Sequence, residues 1–243
     1  MKRLLLLSTI VLFVSCATSI STKLANKNYQ KLNDENQIIV LEKEDVLPNN
    51  SEFIGDIKIG DSGFTTDCGY NKVVADATNS ARNSGANILQ ITEVKEPNFL
   101  GSSCYRIKAK IYRNLNAESL ASILEKRNLK NKSRLSVESD YALIHFYRPN
   151  FGAGALLGYK IKDVNDSIVG RLRNGEKFIY KTKKFGSQSF YGTLETKEEV
   201  KINIEKGKEY FVRCSVNIGV VLGRPEIYLI ENYIGMKEYD EMK

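Results

Sequence analysis

The feature that most constrains this chain is an uncharged apolar segment at its N-terminus. Leu4 to Val14 supplies eleven consecutive uncharged residues, directly after the basic pair Lys2 and Arg3. A basic start followed by an apolar run of this length is typical of an export signal, and the run is too short to span a bilayer. The sequence therefore predicts a signal peptide over residues 1–16 and a protein that folds in a compartment that permits disulfides.

The end of this segment indicates how the protein is held. Residues 13–17 read Phe-Val-Ser-Cys-Ala, which resembles a bacterial lipobox except at Phe13, where leucine is usual. The resemblance implies a lipoprotein whose Cys16 carries acyl chains such as palmitate and sits in the lipid bilayer. The alternative is ordinary cleavage after Ala17, because Ser15 and Ala17 have the spacing of a small-residue cleavage site. We expect an outer-membrane anchor, and because no acidic cluster follows Cys16 the periplasmic side is favoured; exposure on the cell surface is the alternative.

Charge and length limit the classes of function. The formal charge of +7 over 243 residues falls to +5 once Lys2 and Arg3 are removed. Nucleic-acid binding depends on clustered cations more than on a small surplus, so we expect no nucleic-acid partner. Attraction of this positive charge to anionic envelope components, such as lipid headgroups, is as plausible. About 200 residues remain after the signal and linkers, which is close to two ordinary domains.

The predicted fold class is an α+β N-terminal domain followed by an all-β antiparallel sandwich. The predicted segments are a signal peptide (1–16), a polar tether (17–36), the α+β domain (37–113), a helical and polar linker (114–139), the sandwich (140–233) and a charged tail (234–243). In the α+β domain, apolar periodicity predicts a strand, a helix and two further strands. Helical spacing runs from Tyr70 to Ala81, and Gly85 stands where a terminating glycine is expected.

The cysteines that remain after lipidation are Cys68, Cys104 and Cys214. Cys68 directly precedes the predicted helix and Cys104 begins the last strand of the same domain, so we predict a disulfide between them. In the loop-entropy model, a 36-residue span stabilises the fold by roughly 3 to 4 kcal/mol. Cys214 lies on the apolar face of a strand and is predicted to be a buried, inert thiol. No CxxC pattern occurs, so a zinc or thioredoxin-like motif has no local support.

Residues 52–113 resemble a known family. Gly85-Ala86-Asn87, the strand after it, and Gly101 followed by Cys104-Tyr105-Arg106 are similar to the core of RcsF, an outer-membrane lipoprotein that senses envelope stress. The resemblance implies an α+β fold and an envelope setting. RcsF-like domains carry two disulfides, whereas this chain offers only Cys68–Cys104, so it departs from the family in the feature that bears on signalling.

A basic stripe lies on the last strand of this domain. Arg106, Lys108 and Lys110 alternate with apolar residues and are predicted to point outward, where they form a candidate site for an anionic partner. The alternative is the solvated face of an edge or outer strand.

Residues 140–233 contain short alternating strands with turn signals at Asn174-Gly175 and Lys206-Gly207, both of which predict hairpins. Residues 142–149 and 207–213 resemble a lipoprotein domain of unknown function. That resemblance implies a β-sandwich in an envelope setting and supplies no active site.

The candidates for catalysis are few. His145 is the only histidine, which excludes a multi-histidine metal site within one chain, and it is predicted to be a packed or rim residue. The sequence predicts no catalytic residue, metal or cofactor. We therefore expect a non-enzymatic envelope lipoprotein that binds an envelope protein or cell-wall material, in stress sensing or surface assembly. The alternative is a thiol oxidoreductase that uses Cys68 and Cys104.

Overall fold

The structure is a computed structural model that describes residues 18–25, 29–63, 67–98, 101–150, 154–217, 219 and 222–242. Over these residues the protein is rich in β-structure, with three mainly antiparallel sheets and three helices. The predicted signal peptide and Cys16 lie outside the described residues.

The N-terminal part is a five-stranded sheet with a helix on one face. Its strands are β1 (Ser19–Leu24), β2 (Ile39–Leu41), β3 (Glu52–Gly60), β4 (Ile88–Lys95) and β5 (Arg106–Arg113), in the order β1-β3-β5-β4-β2. Neighbours are antiparallel except β2 and β4. Helix α1 (Tyr70–Asn83) packs on the sheet through Val73, Ala77 and Ala81, which are fully buried. Two of these three side chains are alanines, so the helix axis can lie close to the strands.

The helix ends where the sequence predicts. Gly85 has a φ of +76°, its N–H bonds to the carbonyl of Arg82 at 3.0 Å, and the N–H of Ala86 bonds to the carbonyl of Ala81 at 3.0 Å. This pair of bonds is the Schellman arrangement, which satisfies the carbonyls at a helix C-terminus. A Cβ at Gly85 would lie 2.5 Å from Cβ of Tyr29. Both conformation and space therefore require glycine here.

Two details of this part differ from the predictions. Residues 17–36 were expected to form a tether, but Ser19–Leu24 pairs with β3 as an edge strand, and Leu32 is buried. The segment is polar because an edge strand of this sheet is solvated, so polarity alone did not reveal the pairing. The alternation of Phe53, Gly55, Ile57 and Ile59 with Ile54, Asp56 and Lys58 predicts a strand, but its first residues do not follow that alternation. Ile54 is buried and Phe53 is exposed, since the register shifts between Phe53 and Gly55.

Helix α2 (Ala117–Lys130) covers part of the other face of the sheet. Asn116, a polar residue directly before apolar residues at helical spacing, is a predicted N-cap, and it does cap α2 by accepting a bond from the N–H of Ser119 at 2.9 Å. Its half-buried Leu120, Ile123 and Leu124 pack against a small apolar cluster made by Ile39, Leu41, Ile88 and Tyr112. No residue of α2 is fully buried.

The C-terminal part contains two four-stranded sheets. The strands are β6 (Ala142–Tyr147), β7 (Tyr159–Asp163), β8 (Ile168–Leu172), β9 (Lys177–Thr182), β10 (Gly186–Thr193), β11 (Lys197–Ile204), β12 (Glu209–Asn217) and β13 (Arg224–Ile230). Their orders are β11-β10-β7-β8 and β13-β12-β6-β9. One apolar core takes residues from both sheets, an arrangement compatible with a sandwich. In the second of these sheets, β6 and β12 pair in parallel, so the C-terminal part is not wholly antiparallel.

The two predicted hairpins are turns between sheets. β8 and β9 flank Asn174-Gly175 but belong to different sheets, as do β11 and β12, which flank Lys206-Gly207. Gly175 and Gly207 do take positive φ values of +77° and +69°. Their N–H groups bond to the carbonyls of Arg148 and Tyr141, each at 3.0 Å, and not across a hairpin. Turn residues report a local conformation, whereas pairing is decided by the side chains that each sheet buries.

The predicted charged tail also has a structure. Helix α3 (Asn232–Glu241) includes most of residues 234–243 and packs on β12. Its Gly235 is buried so close to Phe211 that a Cβ would lie 2.3 Å from that residue's Cβ, and Tyr239 meets the Phe211 ring at 6.0 Å. A few apolar contacts hold this mostly polar helix against β12. So few apolar residues give no clear helical periodicity in the sequence.

Candidate functional site

The structure brings Cys68 and Cys104 together as predicted. Their sulfurs are at disulfide distance and their Cα atoms lie 5.1 Å apart. Both residues are buried, Cys104 completely. Exchange with an external thiol requires access to a sulfur, so this pair has the surroundings of a structural disulfide.

The disulfide adjoins the contact between the two parts of the molecule. Cys68 leads through Gly69 into the first residue of α1, Tyr70, and Cys104 is followed by Tyr105, whose N–H bonds to the carbonyl of Cys68 at 3.1 Å. The Tyr70 ring meets that of Tyr105 at 5.6 Å and that of Tyr228, on β13, at 5.2 Å. The bridge therefore anchors the residues on which the C-terminal part rests.

A carboxylate from the C-terminal part caps α1. Gly69, the N-cap residue, has no side chain to accept a bond, and Glu226 of β13 accepts the N–H of Tyr70 in its place. Ser215 donates to the other oxygen of Glu226 at 2.8 Å. Burial raises the pKa of the Glu226 carboxyl, and these hydrogen bonds act against the rise. A Cβ at Gly69 would lie 2.9 Å from Oε1 of Glu226, so the missing side chain makes room for the cap.

A mostly buried arginine connects the parts at a second point. Arg213 on β12 donates to the hydroxyl of Tyr228 at 2.7 Å and to Glu238 of α3 at 3.0 Å. Its remaining nitrogen lies 3.3 Å from a carboxylate oxygen of Glu96, which follows β4. Because a guanidinium offers a fixed fork of donors, one side chain orients three elements at once.

The predicted basic stripe lies in the middle of its sheet. Arg106, Lys108 and Lys110 are on β5, which stands third of five strands, so the expectation of an edge or outer strand is wrong. The alternation was predicted correctly, since Ile107, Ala109 and Ile111 are buried beneath α1. The basic stripe lies on the opposite face of the sheet, the one that α2 partly covers, and neighbouring strands add further charged residues to it. We call this surface the basic face; it comprises Lys23, Asp56, Lys58, Glu93, Lys95, Arg106, Lys108 and Lys110.

Positive charges outnumber negative charges on the basic face. Lys108 contacts Glu93 at 2.5 Å, and Lys95 contacts the same residue at 3.1 Å. These contacts lower the pKa of Glu93, the bonds from Lys108 and then Lys95 being the main causes. Lys58 is the direct cross-strand partner of Lys108. Like charges directly opposite each other destabilise a sheet, and Glu93 offsets the charge of Lys108 only in part because it is shared with Lys95.

One group on the basic face has an unsatisfied donor. Nε of Arg106 is buried and has no hydrogen-bond partner among the described residues. A buried N–H without an acceptor costs about 1 to 3 kcal/mol. Sequence alternation alone identified Arg106, Lys108 and Lys110, while the charges on β1, β3 and β4 required the strand order.

His145 is packed, as predicted. It is buried, stacks on Phe211 with ring centroids 4.4 Å apart, and its Nε2 lies 3.1 Å from Oε2 of Glu209. Arg134 adds a bond to Glu209 at 3.1 Å. Burial alone would raise the pKa of Glu209, but the bonds from His145 and Arg134 outweigh it and lower that pKa to about 2. This buried group joins β6, β12 and the end of the linker under α3.

Cys214 and the basic residues near β9 all take part in structural contacts. Cys214 is a free, fully buried cysteine, and burial raises the pKa of its thiol to about 12. Of the basic residues near β9, Lys183 pairs with Asp140 and Lys181 lies 3.7 Å from the centre of the Tyr141 ring. The described residues contain no group of three or more His, Cys, Asp or Glu side chains placed to hold a metal ion.

A search of the described part of the chain for membrane-crossing helices finds none that is long and apolar enough. Comparison with protein-family models, curated proteins and solved structures gives no match to this chain.

Proposed function

We propose that this protein is a bacterial envelope lipoprotein, anchored through acylated Cys16, that acts as a non-enzymatic binding protein and engages an anionic partner through the basic face. An α+β domain and a C-terminal sandwich make up its folded part. The observation that carries the proposal is the pairing of Lys58 with Lys108 beside the unsatisfied Nε of Arg106. Lys58 forms no ion pair with a described residue and faces Lys108, whose acidic partner Glu93 is shared with Lys95, so an anion bound at this face would add a missing negative charge.

The setting of this activity is envelope-stress sensing or surface assembly. The lipobox-like end of the apolar segment and the resemblance of residues 52–113 to RcsF support it. An outer-membrane anchor that faces the periplasm would place the basic face close to anionic headgroups and cell-wall material. Attraction to an anionic surface contributes about 1 kcal/mol per lysine near it and weakens with salt.

The anchor is tested by replacing its cysteine. Cys16→Ser is expected to move the protein from the membrane fraction to the soluble periplasmic fraction, because several acyl chains give stable anchoring and none remain. Fractionation at high salt checks this, with Ser15→Ala as the matched control that keeps the cysteine. Retention of the Cys16→Ser variant in the membrane would contradict lipidation at this residue.

The basic face is tested in the Cys16→Ser background, where lipid does not contribute to binding. The triple change Lys58→Gln, Lys108→Gln and Lys110→Gln is expected to weaken binding to anionic phospholipid vesicles at low salt by on the order of 100-fold. The control is Lys160→Gln, Lys201→Gln and Lys208→Gln, which removes the same charge from exposed positions of the C-terminal part. Equal binding by the two triple variants would show that net charge, and not this face, attracts the vesicles.

An anionic protein partner is sought by crosslinking in intact cells that express the anchored protein. A partner held by the basic face should be captured by the wild type and by the control triple variant, and lost with the first triple variant. Removal of the opposed lysines should leave the free energy of unfolding unchanged or slightly raised. If that energy instead falls in parallel with binding, the lysines are structural.

A further inference from the structure

A cavity of about 420 Å³ lies beside α2, outside the basic face. It is enclosed by that helix, β2, the loop from Asp45 to Asn49 and the start of α3. This volume falls within the range of small-molecule sites, roughly 300 to 1,000 Å³, and far exceeds the voids of an ordinary protein core.

The cavity exists because α2 touches the sheet along a narrow line. Leu120, Ile123 and Leu124 make the apolar contact, but none of them is fully buried. The helix presents Ser119 and Ser122 to the cavity, and these short side chains do not fill it. Opposite them, Ile39 and Leu41 lie at the apolar floor, where they are only 5% and 2% exposed, and the loop adds the more accessible Val46 and Leu47.

Basic side chains gather at one end of this cavity. Lys126, Arg127 and Lys130 line it, against a single acid, Asp45. Lys130 lies 3.4 Å from Asp45, and Arg127 pairs with Glu231. Lys126 is exposed and forms no ion pair with any residue that the structure describes. The cavity thus combines an apolar floor with an excess of positive charge on its rim.

We propose that this cavity binds a single-chain anionic amphiphile, such as a fatty acid, with its chain against Ile39 and Leu41 and its headgroup at Lys126 and Lys130. The apolar floor favours a hydrocarbon chain, and the two lysines favour a negative headgroup. A cavity of about 420 Å³ is of the size that takes one small ligand, which suits one medium-length chain. This proposal is independent of the basic face.

The test uses the full chain in its Cys16→Ser form and measures binding of decanoate by titration calorimetry. Wild-type protein should bind decanoate more tightly than the neutral decan-1-ol. The pair Lys126→Gln and Lys130→Gln should weaken decanoate binding at least tenfold and leave decan-1-ol binding unchanged. Lys132→Gln with Lys208→Gln is the matched control, because both lysines are exposed and neither lines the cavity.

Filling the cavity provides the second arm. Ser122→Trp places an indole in it from an exposed helix position, and Leu47→Trp does so from the opposite loop. Both changes should abolish binding of decanoate and of decan-1-ol. The chain has no tryptophan, so a blue-shifted emission reports that the indole has entered an apolar site in a folded protein.

Three results would overturn the proposal. The first is absence of decanoate binding to the wild type. The second is binding that persists when both blocking variants are folded with blue-shifted emission. The third is equal affinity for decanoate and decan-1-ol, with no effect of the lysine changes, which would remove the anionic headgroup from the assignment.

Discussion

At the scale of single residues, the buried carboxylates of this protein hold segments that are distant in sequence. Glu226 on β13 caps α1. Glu209 contacts His145 on β6 and pairs with Arg134 at the end of the linker. An isolated buried charge is strongly unfavourable, so each carboxylate is stable only because its partners are in place. Loss of one partner therefore affects two elements.

The low pKa of Glu209 makes stability depend on acid pH. A carboxyl with a folded pKa of about 2 and an ordinary value of 4.5 stabilises the fold fully above pH 4.5, and this contribution is lost as the pH falls towards 2. We expect a loss of at most about 3 kcal/mol over that interval. Urea unfolding at pH 7, 4.5 and 3 measures it. Glu209→Gln should be less stable at pH 7 and should flatten this part of the curve; a profile parallel to that of the wild type would refute the assignment.

At the scale of elements, α1 is defined at both ends by residues outside its own turns. Its N-terminus is closed by Glu226 and its C-terminus by the Gly85 turn, which packs against Tyr29. Only the C-terminal end can be recognised from the local sequence, because a turn at positive φ favours glycine at that position. The acceptor at the first end is supplied from more than 150 residues away.

Gly85→Ala tests how strongly that turn is required. The alanine would have to keep a φ of +76° and place Cβ 2.5 Å from Tyr29, so we expect a loss of about 2 to 3 kcal/mol in the free energy of unfolding. Gly186→Ala is the control, because Gly186 also has a positive φ, +85°, but nothing lies within 4 Å of its Cβ position. It should lose only about 1 kcal/mol. Equal losses in thermal or urea unfolding would mean that the contact with Tyr29 is unimportant.

At the scale of the whole molecule, the two parts are joined through the surroundings of the disulfide. Tyr70 and Tyr105 each stand within two residues of a bridged cysteine, and both contact the C-terminal part or the aromatic cluster beside it. Arg213 and Arg127 add ion pairs to Glu96 and Glu231 between segments far apart in the chain. A change at the bridge should therefore be felt in both parts.

Removal of the disulfide by Cys68→Ala and Cys104→Ala should lower the free energy of unfolding by roughly 3 to 4 kcal/mol, the value for a loop of this span. Hydrogen exchange should also quicken at the amides of Tyr70 and Tyr105, because Tyr70 bonds to Glu226 and Tyr105 to Cys68. Cys214→Ala serves as the control, since it alters a buried thiol without opening the loop. Unchanged hydrogen exchange at both amides would mean that the disulfide does not stabilise the contact between the two parts.

Much of the fold was predictable because its signals are local. The period of 3.6 from Tyr70 to Ala81, the glycine at 85, the Asn116 cap and the alternation along β5 each report on a few neighbouring residues. The disulfide was also predictable, because few cysteines remained and two lay at the ends of elements in one domain. Strand β1 and helix α3 were missed, since their side chains are mostly polar and only the elements beneath them show where they pack.

Taken alone, the sequence determined helix α1 and where it stops, which face of β5 is apolar and which cysteines pair. Tertiary structure decided the rest. It separated β8 from β9 and β11 from β12 into different sheets and placed Lys58 opposite Lys108. It also brought Glu226 to the start of α1 and left a cavity beside α2. The physical reason is that local conformation depends on neighbours in the chain, whereas strand pairing, charge opposition and unfilled volume depend on surfaces that meet only after the chain has folded.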